Sequence, residues 1–273
     1  MQVNRSTIYK QNKAVENKTK DEKDLVLAEK IREIQVSTKY TYGARRMSKE
    51  LARNGIVANH KRVARIMTEH NLHANVRKKR NYKVSVPKVD KVAEAENLLD
   101  RQFDADEPGQ KLVADVTYMS TKDGQWNYLS LIKDLATSEI VAWKLSRRQD
   151  LHLGYETLEQ IKGKFDSPGL FHSDRGFMYT HPSFRTKLDE MGFTQSLSRK
   201  ATCLDNAVIE SFNATIKCEW FYPRFGKGNW NLTFNELAGL IDEYVTFYNG
   251  KRIQKKLGYM TPLEYKELLL TKK

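Results

Sequence analysis

Three carboxylates stand where carboxylates are costly or well placed for chemistry. Asp115 interrupts a run of strand formers, Leu112, Val113, Val116 and Tyr118, where an ionised side chain is expensive unless a partner offsets its desolvation. Asp174 follows the short apolar run Gly169-Leu170-Phe171, at the C-terminal end of an expected strand, where open α/β sheets place their sites. Glu210 comes after 35 intervening residues, in a segment of helical period. Ile209, Phe212 and Ile216 repeat at offsets 0, 3 and 7, and Glu210, Asn213 and Lys217 repeat the same offsets one position round, so one stripe packs while its neighbour lines a cleft. Three carboxylates with no Cys or His cluster form a hard oxygen set suited to Mg²⁺ or Mn²⁺ and poorly suited to zinc. Two such ions can activate an attacking oxygen and stabilise a leaving one in an in-line phosphoryl displacement. Lys217, two turns along from Glu210, is placed to hold a DNA phosphate. Taken singly, each carboxylate could equally be a surface or capping group, and spacing alone leaves that choice open.

The elements that must position these groups follow from period and punctuation. Leu112 to Met119 and Trp126 to Lys133 flank the turn signal Asp123-Gly124, and Glu139 to Leu145 supplies a third antiparallel strand. A helix (151–163), a short strand (Gly169–His172), a helix (182–191), a second short strand (Thr194–Leu197) and a long helix (205–221) follow. This α/β order makes the late strands parallel to the first. Helices at 233–248 and, started by Pro262, at 262–270 close the chain.

The first third reads differently. The net charge of the 273-residue chain is +13, and residues 1–88 hold 22 basic against 8 acidic side chains while residues 89–273 hold 25 against 26. That density suits phosphate neutralisation. Leu27, Ile31 and Ile34 outline a helix over 22–36. Ala44, Met47 and Leu51 outline a second, ended by Asn54-Gly55, and Asn59 can cap a third that carries Val63, Ile66 and Met67 inward. Helix, short turn, helix over 43–70 is the pattern of a helix-turn-helix, whose second helix would turn Lys61, Arg62 and Arg65 toward DNA, with Arg77, Lys78, Lys79 and Arg80 following the backbone. The expected domains are a basic helical region (1–85), a linker (86–110), a catalytic core (111–222) and a C-terminal helical extension (223–273).

Composition excludes collagen-like and wholly disordered classes, no window approaches ~18 apolar residues, and MQVNRSTIYKQNK lacks a secretory apolar stretch. A cytoplasmic, nucleoid-associated protein without membrane contact is expected. Cys203 and Cys218 read as free thiols. His172 could orient water or DNA or pack at a strand end; Asp205 reads as an N-cap, Asp134 as a turn residue, and the four tryptophans as core or interface.

The local sequences then narrow the chemistry. Ala114-Asp115-Val116-Thr117-Tyr118, Phe171-His172-Ser173-Asp174-Arg175-Gly176 and Asp205-Asn206-Ala207-Val208-Ile209-Glu210-Ser211-Phe212 closely resemble the three catalytic blocks of DDE transposases with a retroviral-integrase core. More narrowly, the chain resembles the OrfB product of the bacterial insertion sequences whose transposase is made by frameshifting. Tyr42 to Arg46 with Lys61 to Met67 resembles that family's helix-turn-helix block, and Tyr248-Asn249-Gly250-Lys251-Arg252 with Leu257-Gly258-Tyr259 and Thr261-Pro262 its C-terminal signature. The resemblance implies an RNase H-like fold, a metal-binding triad of Asp115, Asp174 and Glu210, a DNA-contacting Lys217, and double-stranded DNA (terminal inverted repeats and target) as partner. It also implies a homo-oligomer on DNA and an OrfA part fused upstream; Arg252 is the C-terminal candidate for a DNA contact. Many relatives carry Trp three residues before the first Asp where this chain has Leu112, a packing change. His60, His70 and His73 have no Cys nearby, so no zinc is expected. The implied function is DNA cleavage and strand transfer, against two alternatives: a nuclease on the same fold, or a non-catalytic DNA-binding regulator.

Overall fold

The computed structural model describes residues 22–75, 96–200, 202–228 and 230–271. The chain divides into two compact units, Met1–Val76 and Arg77–Lys273.

In the first unit, α1 (22–37), α2 (Ala44–Arg53) and α3 (His60–Glu69) pack through Leu27, Ile31, Met47, Leu51, Val63, Ile66 and Met67. Asn59 caps α3 by accepting from the Lys61 N–H at 2.9 Å. The inward position after Ile31 is taken by Gln35, fully buried, rather than by Ile34. Its Nε2 donates to the carbonyls of Tyr42 and Leu72, each at 2.9 Å, so a buried amide ties α1 to the chain before α2 and after α3. Most polar groups taken inside are paired in this way.

The second unit is built on a five-stranded sheet in the order β3-β2-β1-β4-β5. Its strands are β1 (Lys111–Ser120), β2 (Trp126–Asp134), β3 (Ile140–Ser146), β4 (Leu170–Ser173) and β5 (Thr194–Leu197). β1, β2 and β3 are antiparallel, whereas β4 runs parallel to β1 and β5 parallel to β4. Successive side chains alternate faces. Leu112 and Ala114 of β1 enter one core with Leu158, Met178, Tyr179, Phe184 and Leu188, from α4 (Leu151–Glu159), α5 (Phe177–Thr180) and α6 (Pro182–Glu190). Asp115 and Thr117 face the other way, toward α7 (Ala207–Ile216). α5 is a single turn, too short to leave a periodic signal.

The expected long helix over 205–221 is broken into three parts. A 3₁₀ turn (Cys203–Asn206) precedes α7, and a π-helical turn (Lys217–Phe221) runs into α8 (Tyr222–Phe225). Segments with one residue more per turn are often found at functional sites. α9 (Phe234–Gly250), closed at its start by a Thr233–Glu236 capping box, lies against the sheet: Asn249 donates to the Ile140 carbonyl and accepts its N–H, at 2.9 and 3.0 Å. α10 (Pro262–Leu270) follows. Residues 96–110, read as linker, are anchored. The Leu98 and Leu99 amides donate to Ser196 Oγ at 3.0 and 3.2 Å, and Leu99 is buried. The contacts are made by backbone and isolated polar side chains, which carry no hydrophobic period.

Candidate active site

β1 carries Asp115 out of the apolar core and onto the α7 face of the sheet. There Asn213 Nδ2 donates to Asp115 Oδ2 at 2.7 Å. Burial pushes the Asp115 carboxyl up to about 7, helped by the negative charges of Asp174 and Glu210. β4, hydrogen-bonded alongside β1 with Ser173 opposite Ala114, delivers Asp174 just beyond its last residue. The Gly176 N–H donates to Asp174 Oδ1 at 2.9 Å. Burial raises the Asp174 carboxyl, and burial with the Asp174 charge raises that of Glu210, in the first turn of α7. The structure therefore brings the three expected carboxylates into one electrostatic neighbourhood. None of them has an ion-pair partner among the described residues.

The rest of the Glu210 stripe borders the same place. Lys217 Nζ donates to Thr117 Oγ1 at 2.7 Å, and burial lowers the ammonium while Asp115 opposes that shift. Thr117, two residues from Asp115 on the same face, had no signal of its own. Asn213 was legible as a position of the stripe but not as the group that orients Asp115. Tyr179 of α5 is a further neighbour without sequence signal: burial raises its phenol, and the charges of Asp115 and Asp174 add to the shift.

A divalent cation fits this donor set. The oxygens are hard, all three carboxyls are raised by burial, those of Asp115 and Glu210 further by the Asp174 charge, and the buried Asn213 Oδ1 has no hydrogen-bond partner among the described residues. Among the described residues no three acidic, His or Cys side chains close on a single point. Sites for Mg²⁺ commonly use one or two carboxylates per ion, with water and phosphate completing the shell. Asn213→Ala should weaken activation by Mg²⁺ roughly 10–100-fold, the usual cost of losing a group that orients a ligand. Because the lost bond favours the ionised form, the activity profile should also move to higher pH; Mg²⁺ titrations of DNA cleavage at several pH values read both effects.

Other expected residues have different positions. His172 is wholly buried, with Nδ1 at 2.8 Å from Ser196 Oγ and Nε2 at 3.1 Å from Ser198 Oγ. Burial depresses it to about 4, so it is a neutral, packed strand histidine. Asp205 is not an N-cap. It is a buried hub that accepts from Arg199 Nε and NH2 and Arg101 Nε, each at 2.8 Å, and from Asn97 Nδ2 at 2.9 Å. Burial opposes its ionisation, but the two arginines outweigh it and hold the carboxylate far below its usual range. Asp134 accepts from Ala136 N–H and Thr137 Oγ1 in the turn after β2. Trp220 and Trp230 are core residues, whereas Trp126 is 59% exposed with Tyr118 edge-on to it.

Of the side chains expected to touch DNA, Lys61 is exposed, Arg62 and Arg65 are ion-paired with Asp24, and Arg77, Lys78, Lys79 and Arg80 lie outside the described residues. Arg252 is turned inward: it is 9% exposed and forms a two-pronged ion pair with Glu219, Nε at 2.8 Å and NH2 at 2.6 Å. Its donors tie the chain after α9 to the π-helical turn.

Comparison with known proteins agrees with this layout. The HTH-like domain family matches residues 21–80, and two integrase core domain families match 105–203 and 191–262. The InsK protein of insertion sequence element IS150 of Escherichia coli is 36% identical over 97% of this chain and 90% of its own. The transposase of insertion sequence element IS904 of Lactococcus lactis is 33% identical over 89% and 94%. A relative from IS1353 of Shigella flexneri is 32% identical over 97% of this chain but 50% of its own. Among solved structures, a simian T-cell lymphotropic virus intasome chain shares the fold at 13% identity and a TM-score of 0.52, over 86% of this chain and 74% of its own.

Proposed function

The chain belongs to the IS3 family of insertion-sequence DDE transposases, polynucleotidyl transferases with an integrase-type catalytic core, and on that premise we propose that Asp115, Asp174 and Glu210 are its catalytic, metal-holding residues. The observation that carries this reading is that the three carboxyls, contributed by two strands and a helix, stand close enough for the Asp174 charge to raise both Asp115 and Glu210, with no ion-pair partner of their own among the described residues. Mg²⁺ or Mn²⁺, as two ions, would be held by these carboxylates and would supply Lewis-acid activation of the attacking oxygen and charge stabilisation of the leaving one.

The chain's own groups prepare that chemistry. Asn213 fixes the rotation of the Asp115 carboxylate, and the Gly176 N–H holds that of Asp174. Burial pushes the Asp115 carboxyl up to about 7 and only its ionised form would hold a cation, so cation binding should strengthen as pH rises. Lys217 leans on Thr117 and can exchange that hydroxyl for a DNA phosphate oxygen. In the first displacement water attacks the phosphodiester at the element end and the bond from phosphorus to the 3′-oxygen breaks, freeing a 3′-OH; in the second that hydroxyl attacks a target phosphodiester, and the bond to the target strand's 3′-oxygen breaks as the new one forms. The three-helix unit holds the terminal inverted repeats through Lys61, Arg62 and Arg65, with Arg77 to Arg80 along the backbone. A homo-oligomer working on two ends, and an OrfA part acting with this chain, complete the proposal. No helix among the described residues is long and apolar enough to cross a membrane; the cytoplasmic, nucleoid-associated address is proposed from the DNA that the chain acts on.

The test is a joining reaction with labelled element-end duplex, plasmid target and Mg²⁺ or Mn²⁺, by the purified chain alone and fused to OrfA. Metal-dependent joining should fall at least ~10³-fold in Asp174→Asn and Glu210→Gln while DNA binding persists. Cleavage without joining would identify a nuclease, and binding without chemistry in either form would leave a DNA-binding protein.

A further inference from the structure

Residues 1–88 hold the positive surplus of the chain, yet two of the arginines of the three-helix unit expected to meet DNA are already occupied. Arg62 and Arg65 lie three residues apart on α3 and so share a flank. Both reach Asp24 of α1. Arg62 Nε and NH2 stand 2.7 and 2.6 Å from Asp24 Oδ1, and Arg65 NH2 binds Asp24 Oδ2. Arg65 NH1 also donates to both oxygens of Glu69, at 2.9 and 2.8 Å. Two cations and two anions leave this flank neutral. Asp24 is only 7% exposed, whereas the two arginine side chains are 38% and 43% exposed, so the acid is internal and its partners stand at the surface. Lys61, Ala64 and Thr68 are exposed and, at about 100° per residue, fall within one narrow outward stripe of α3.

We propose that Asp24 is a specificity-determining residue, an internal substitute for a DNA phosphate that keeps Arg62 and Arg65 off DNA of arbitrary sequence. The inference rests on α3 being the helix that enters the groove. Moving the arginines onto phosphates strands a buried carboxylate, which costs free energy that backbone contacts alone do not recover. Element-end DNA, docked on the Lys61, Ala64 and Thr68 stripe, adds base contacts that offset the cost; other DNA does not. Discrimination then comes from penalising the wrong complex as well as from favouring the right one.

Salt dependence reads this directly, because each neutralised phosphate adds about 0.9 to the slope of log K against log salt. The full chain would be titrated with a duplex of the terminal inverted repeat and a scrambled duplex of equal length, between 50 and 200 mM salt, as wild type, Asp24→Asn and Lys61→Ala. The wild-type slope should be steeper on element-end DNA by about 2, since two arginines engage only there. Asp24→Asn should raise the scrambled-DNA slope to match, so that its affinity loss across that salt range grows roughly tenfold. Equal wild-type slopes on the two duplexes would overturn the proposal, and that measurement stands even if Asp24→Asn does not fold. Unchanged scrambled-DNA binding by a folded Asp24→Asn, with Lys61→Ala still weakening element-end binding, would make Asp24 a structural pin and leave the groove reading intact. If Lys61→Ala and the double variant Arg62→Ala with Arg65→Ala alter binding to neither duplex, the groove reading falls and the proposal with it.

Discussion

Asp115→Asn is expected to abolish cleavage and joining and, at the same time, to make the cation-free protein more stable at pH 8. Burial pushes the folded carboxyl up to about 7, against 3.8 for the same group in the unfolded chain. Below pH 3.8 both states hold the proton and the residue is neutral in its effect. Between 3.8 and 7 the folded state keeps a proton that the unfolded state has released, so stability falls as pH rises, and above 7 the full penalty remains. At about 1.4 kcal/mol per decade its ceiling is on the order of 4 kcal/mol. Asparagine cannot ionise and still offers an oxygen to Asn213, so it escapes the penalty. Thermal unfolding in EDTA should show a stability difference near zero at pH 4 that opens through pH 7. Mg²⁺ should then stabilise the wild type and leave Asp115→Asn unmoved. A pH-independent difference would dissociate Asp115 from the charge cluster. Loss of activity accompanied by loss of stability at pH 8 would recast it as a packing residue.

The second large effect lies behind α7. Glu219 is gripped by Arg252 and also accepts from Tyr244 Oη at 3.1 Å, while Lys133 Nζ donates to Tyr248 Oη at 3.1 Å. Trp220 stacks on Phe247 beside this network. Arg252→Ala would leave a buried carboxylate without its cation, at a cost of about 3–5 kcal/mol, a fall in melting temperature on the order of 10 °C for a unit of this size. Replacing both partners by apolar residues, Glu219→Leu with Arg252→Met, should recover most of that loss, since a buried pair contributes far less than its breakage costs. Urea unfolding of the three proteins decides it. A cost below ~1 kcal/mol for Arg252→Ala would return Arg252 to the candidates for a DNA contact. Because Glu219 sits two residues after Lys217, the single variant should also reduce joining at temperatures where it is fully folded.

What the chain's own order determined was whatever depends on near neighbours. The antiparallel start of the sheet is legible in alternating strand formers around Asp123-Gly124, the cap of α3 in Asn59, and the three carboxylates in short blocks whose residues act within a few positions of one another. The stripe of Glu210, Asn213 and Lys217 is likewise a matter of helical period. Tertiary structure decided everything that pairs residues far apart. Asp205 reads locally as a cap, yet its charge is claimed by Arg101, 104 positions away, as well as by Arg199. Arg252 reads as a surface cation, yet it is 33 positions from the Glu219 that buries it. Arg62 and Arg65 read as free for DNA until Asp24, 38 and 41 positions away, meets them. A polar side chain has no periodic signature for its partner; its desolvation cost is settled only when folding brings an opposite charge within hydrogen-bond reach.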